Sequence, residues 1–136
     1  MGQRNVKDAN FVKTFALPAS ASSSTTSAIL DLGASVTYMP EEIEVSLSIP
    51  ALSTTIAPDT RTVTLIVEVS TSSSLASVAQ TVLSEVLTGA GGVGIAATEK
   101  RIRLPAGCPR YIRAKVTFGA STTDGSALSA TFALLF

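Results

Sequence analysis

Four stretches of this chain alternate apolar and polar side chains with a period of two, and that pattern excludes most folds. Ile43, Val45, Leu47 and Ile49 alternate with Glu42, Glu44, Ser46 and Ser48. Val63, Leu65, Val67 and Val69 alternate with Thr62, Thr64, Ile66 and Glu68. Ile112, Ala114, Val116 and Phe118 alternate with Arg113, Lys115 and Thr117, and Leu128, Ala130, Phe132 and Leu134 form the last run. Successive side chains of a strand point to opposite faces, so each run is a half-buried strand. Val and Ile, favoured on pleated surfaces, dominate these runs.

Weaker signals add further strands. Residues 12–17 suit a short strand with Phe15 and Leu17 inward, and residues 26–32 suit another that ends at Gly33. Residues 80–88 fit a helical stripe or a strand; their β-branched content favours the strand. Residues 95–104 read as a strand closing at Leu104-Pro105. Turn residues separate the runs at Met39-Pro40, Ile49-Pro50, Ala57-Pro58-Asp59, Pro105-Ala106-Gly107 and Thr123-Asp124-Gly125. The expected fold is all-β: a jelly-roll-like β-sandwich of about eight strands. Residues 1–10 are polar and do not alternate, so they read as a flexible N-terminal arm on a single sandwich domain spanning residues 11–136.

Hydrophobic residues make up 46% of the 136 and charged residues 15%, with zero formal net charge. The chain can build a core, but Ser and Thr cover its surface in runs such as residues 22–27 and 70–74. A neutral, weakly charged surface favours association, so the chain is expected to work inside an assembly. No apolar run approaches the ~20 residues of a spanning helix. The N-terminus has no signal-peptide core, and Met1-Gly2 lacks the Ser or Thr of a myristoylation signal. The single Cys108 cannot form an internal disulfide, as suits synthesis in a reducing cytoplasm.

The residue inventory removes most catalytic chemistry. There is no histidine, which excludes His-type metal sites and Ser-His or Cys-His pairs. There is no tryptophan and there are two tyrosines, Tyr38 and Tyr111, so aromatic platforms for sugars or bases are disfavoured. Glu41, Glu42 and Glu44 cluster, but on a strand they suit a solvated face better than a carboxylate pair across a cleft. Gly89, Gly91, Gly92 and Gly94 lack the lysine of a phosphate loop and read as a flexible hairpin connection. Cys108, beside Arg110, has no base to activate it. The expectation is a non-enzymatic module without cofactor or metal.

Charge is segregated along the chain. Residues 31–85 hold seven acids against Arg61 alone. Residues 99–115 hold Lys100, Arg101, Arg103, Arg110, Arg113 and Lys115 against Glu99 alone. Arg4, Lys7 and Lys13 make the N-terminus basic as well. Nucleic-acid binding by the basic segment is one reading, but neutrality and few aromatics argue against direct nucleic-acid contact. Complementary faces that meet between subunits and cross-strand pairing within the domain both remain open.

Three motifs resemble a known family. They are Ile29-Leu30-Asp31-Leu32-Gly33 after a Ser/Thr segment, Arg103-Leu104-Pro105-Ala106-Gly107 followed by Pro109-Arg110-Tyr111-Ile112-Arg113, and the closing Ser126-Ala127-Leu128-Ser129-Ala130. Their order, over residues 11–135, resembles the cement or decoration proteins of short-tailed bacteriophage capsids. The resemblance implies a jelly-roll-like sandwich that is made in the host bacterial cytoplasm and bound to the virion exterior. Its implied partner is the major capsid protein, with self-association as a dimer or trimer. Residues 1–10 and 89–94 do not match the family and are places for contacts particular to one capsid. Arg110 and Arg113, which can bind carboxylates bidentately, and Arg4 and Lys7 of the arm are the expected capsid or subunit contacts. Two other classes fit the chain: a coat protein that forms a small shell itself, and a receptor- or glycan-binding virion module. Small RNA-phage coat proteins end in helices, whereas this chain ends in a strand-like run, and the missing tryptophan and histidine weigh against glycan binding.

Overall fold

A computed structural model describes residues 7–33, 43–78 and 80–135. Among them are nine strands and no helix: β1 (Lys7–Ala16), β2 (Ser24–Thr26), β3 (Leu30–Asp31), β4 (Glu44–Ile49), β5 (Thr62–Ser70), β6 (Gln80–Thr88), β7 (Thr98–Arg103), β8 (Tyr111–Phe118) and β9 (Ser129–Leu135). They form two antiparallel sheets. One runs β1-β9-β4-β7, and the other runs β2-β8-β5-β6 with β3 also on β8.

The alternating runs supply the core. Val63, Leu65, Val67 and Val69 of β5 lie opposite Phe118, Val116, Ala114 and Ile112 of β8, and all eight are fully buried. In the other sheet Val45 and Leu47 lie opposite Leu134 and Phe132, again fully buried. These inward faces belong to one apolar cluster that also takes in Leu17, Leu30, Leu52, Ile95 and Leu104. Each fully buried Val, Leu or Phe contributes about 1.5–3 kcal/mol against exposure, so this cluster is the main source of cohesion.

Strand β9 departs from simple alternation. Ala133 and Leu135, on its outer face, are as buried as the core residues. Ser46 lies opposite Ala133 and is buried too, with its hydroxyl donating to Glu99 Oε1 at 2.6 Å.

Several expectations change in detail. The strand expected at residues 26–32 is two short strands, because Ser27 interrupts the ladder. The Ser27 hydroxyl accepts the Ala114 N–H at 2.9 Å, and Ser27 N–H donates to the Ala114 carbonyl at 2.9 Å. A side chain thereby takes the place of a main-chain acceptor, and the backbone steps away from β8 before re-pairing. This split accounts for nine strands where about eight were expected. Residues 80–88 are a strand, paired along β5. The strand expected from residue 95 starts at Thr98, while Ile95 makes a separate bridge to Leu52.

The N-terminal boundary also moves. Strand β1 begins at Lys7, opposite Leu135, inside the segment read as an arm. The register slips between Lys7 and Val12, a segment whose sequence shows no alternation. Residues 1–6 lie outside the described residues.

The Gly-rich connection is not a hairpin. It carries the chain from β6 in one sheet to β7 in the other. Nor is it loose. Thr60 N–H donates to Gly89 O at 2.8 Å, and Gly92 N–H donates to the Asp59 carboxylate at 3.0 Å. At Gly94, φ is +78° and a Cβ would overlap the Leu52 carbonyl, so only glycine fits.

Candidate functional site

The segregated charges meet within the domain. Among the described residues five ion pairs join an acid of residues 31–85 to a base of residues 99–115. They are Asp31–Arg110, Glu44–Arg101, Glu68–Arg113, Glu68–Lys115 and Glu85–Lys100. The antiparallel ladders bring the Glu44 and Glu68 pairs together, whereas Glu85–Lys100 joins the edge strands of the two sheets. Strand β4 pairs with β7, and β5 with β8, so an acidic strand repeatedly lies beside a basic one.

Arg113 lies opposite Glu68 on the outer face of the five-stranded sheet. Its Nε donates to Glu68 Oε2 at 2.9 Å, and Lys115 Nζ is 3.8 Å from the other carboxylate oxygen. Glu68 is 7% exposed, an unusual burial for a carboxylate on an outer face. Its charge is compensated by two cations on the neighbouring strand.

Arg110 sits just before β8 and grips Asp31 with both arms of its guanidinium. Nε donates to Oδ1 at 2.5 Å and Nη2 to Oδ2 at 2.6 Å. Gly33 N–H donates to the same Oδ1 at 2.8 Å. The Arg110 hydrogen bond, followed by that of Gly33, holds the Asp31 carboxyl below its ordinary range. The guanidinium also lies over the Tyr111 ring at 5.1 Å from its centroid. Leu32 N–H donates to the Arg110 carbonyl at 2.9 Å. Residues 29–33 and 109–113 therefore form one hydrogen-bonded cluster at one end of the sandwich.

The opposite end is built from four connections: residues 17–23, 50–61, 89–97 and 119–128. They bond to one another through Ser22 N–H to Gly119 O, Gly125 N–H to Pro18 O, Thr123 N–H to Ile56 O and Leu52 N–H to Ile95 O. Ser22, Thr60 and Ser121 hold positive φ there. The exposed residues are mostly Ala, Ser, Thr and Gly, and Val93 stands out at 77% exposed.

Of the expected contact residues, Arg110 and Arg113 are thus in ion pairs within the chain. Their 38% and 21% side-chain exposure leaves Arg110 the more accessible of the two. Lys7 is the first residue of β1, and Arg4 lies outside the described residues. So do Glu41 and Glu42; Glu44 is on β4, 3.8 Å from Arg101. Cys108 is buried between β7 and β8, and that burial pushes its thiol up to about 11.

Sequence reasoning counted Glu85 and Lys100 among the segregated charges but did not pair them with each other. Glu85 shares its face with Leu83 and Leu87, and Lys100 lies opposite inward-facing Leu47. The two meet at 3.0 Å between the edge strands of the two sheets. Parity along each run was the available signal, since both charges occur at inward positions. No family model, curated protein or solved structure matches the chain.

Proposed function

We propose that this chain is a structural virion protein that binds the outer surface of a capsid shell and stabilises it. The observation that carries the reading is the strand order. The two antiparallel sheets run β1-β9-β4-β7 and β2-β8-β5-β6, with connections that cross between sheets except at β2–β3 and β5–β6, and this crossing pattern supports a jelly-roll-like reading. Jelly rolls are a recurrent fold of virus particles. The family-like motifs at residues 29–33 and 109–113, joined through Asp31 and Arg110, lend support to a cement protein in particular.

In this reading the partner is the major capsid protein, and the protein is made in the bacterial cytoplasm and carried on the virion exterior. It is non-enzymatic and uses no cofactor, in keeping with a sequence that has no histidine. Binding only the assembled shell stabilises that state by linkage. Self-association as a dimer or trimer lets one unit touch several capsid subunits, and avidity strengthens modest contacts. Partly exposed Arg110 and the basic residues Arg4 and Lys7 are the proposed contacts.

The same strand order suits a second reading, a coat protein that forms a small shell itself. Two experiments separate them. Purified protein mixed with undecorated expanded capsids is expected to occupy the shell at defined sites and raise its resistance to heat; absence of binding sinks the cement reading. Expression without other virion proteins is expected to give no closed shells by electron microscopy, whereas closed shells favour the coat reading.

A further inference from the structure

Among the described residues the two sheets have four edges, and three are the more strongly guarded against pairing with another chain. Strand β1 has its register slip and an inward lysine, Lys13, opposite Phe132. Strand β7 spans six residues, four of them charged: Glu99, Lys100, Arg101 and Arg103. Strands β2 and β3 have three and two residues. Short length, lysines, bulges and inward charges are the usual guards of a sheet edge.

Strand β6 differs. It too has an inward charge and a register irregularity, but that charge, Glu85, is its only one and is neutralised by Lys100, and its nine residues include no Pro or Gly. Its register irregularity lies at the Val67/Glu68 step, beside its first residues. From Leu83 to Thr88 it pairs regularly with β5, so the opposite edge of that stretch is straight. Val86, on the outer face, is 57% exposed.

We infer that two copies of this chain associate through β6, edge to edge and antiparallel about a two-fold axis, with Val86 opposite Val86 of the second copy. Parity and charge select this register. Same-face side chains must oppose one another, so shifts come in steps of two residues. Centring on Glu85 sets two like charges face to face, which is unfavourable. Centring on Ser84 draws residues 80–82, next to the irregular step, into the ladder. Centring on Val86 keeps five pairs inside the regular stretch. Ser84 then meets Thr88 of the second copy, Glu85 meets Leu87, and the exposed valine is covered by its equivalent. The result is one continuous sheet across two copies. A two-fold contact of this kind is self-complementary and closed, so it stops at a dimer.

This inference names the surface for the self-association in the proposed function. Its test uses free protein, so failure to bind a capsid leaves it standing, and its own failure leaves capsid binding open. Sedimentation equilibrium of the full chain is expected to show a monomer–dimer equilibrium. Val86→Lys is expected to raise the dimer dissociation constant at least about tenfold while the circular dichroism spectrum is unchanged. In a Cys108→Ser background, Val86→Cys is expected to form a disulfide dimer on mild oxidation, because directly opposed strand residues lie within bridging distance. Ser84→Cys is expected not to form one. A chain that stays monomeric at its highest soluble concentration overturns the inference. So does a dimer that Val86→Lys leaves intact, or one in which Ser84→Cys cross-links and Val86→Cys does not.

Discussion

Glu68 and Arg113 face each other across the β5–β8 ladder, and the guanidinium Nε donates to the carboxylate at 2.9 Å. The pair lies 45 residues apart in sequence. Its carboxylate is nearly buried although it is on an outer face. Buried charge is tolerated only when paired, so the arginine is needed more for the sheet than its outer-face position suggests.

Arg113→Ala is therefore expected to destabilise the fold by about 2 kcal/mol, read from the shift in a chemical denaturation midpoint. Lys115→Ala, which removes the longer contact, is expected to cost under about 1 kcal/mol. The double variant Glu68→Gln, Arg113→Ala is expected to lose less than the two single losses added. If Arg113→Ala leaves the midpoint unchanged, the ion pair has no structural role and Arg113 is available for docking alone.

Acid is expected to weaken the Asp31–Arg110 clasp. The Asp31 carboxyl is held below its ordinary value, chiefly by the Arg110 hydrogen bond and then by that of Gly33. A carboxyl depressed by folding stabilises the native state in full above its unfolded value, and that contribution fades as pH falls through the folded value. The Tm difference between the native chain and Asp31→Asn should thus be largest near neutrality and shrink below pH 3.8. A difference that stays constant down to about pH 2 would contradict the assigned hydrogen bonds.

Two glycines separate backbone strain from steric overlap. Gly94 and Gly107 both have positive φ, +78° and +72°, but only at Gly94 would a Cβ meet another backbone, that of Leu52. Gly107→Ala is expected to cost about 1 kcal/mol, the penalty of the left-handed region. Gly94→Ala is expected to cost at least about 3 kcal/mol, because the Leu52–Ile95 bridge must open. Equal losses in thermal unfolding would show that residues 89–97 are not held against residues 50–61.

Cys108 should behave as a core residue. With its thiol pushed up to about 11 by burial, only about one molecule in a thousand carries the thiolate at pH 8. Reaction with a disulfide reagent is expected to be slow in the folded protein and to accelerate in parallel with denaturant-induced unfolding. Rapid labelling under native conditions would place the thiol at the surface.

Alternation in the sequence determined the two-faced strands, because side-chain direction in a strand is fixed by the pleat and needs no partner. Val63 to Val69 and Ile112 to Phe118 were legible for that reason, and so was the all-β class. The inward charges Glu85 and Lys100 obeyed the same parity, but only the meeting of β6 with β7 shows what each faces. Which strand lies beside which depends on chain closure between distant segments, and no local pattern encodes it. The tertiary structure alone decided that the acidic and basic segments neutralise each other, through pairs such as Asp31–Arg110, 79 residues apart. It also decided the break at Ser27, where a hydroxyl competes with the backbone for Ala114, and the tying of the Gly-rich connection to Asp59. These features depend on distances between groups that only folding brings together.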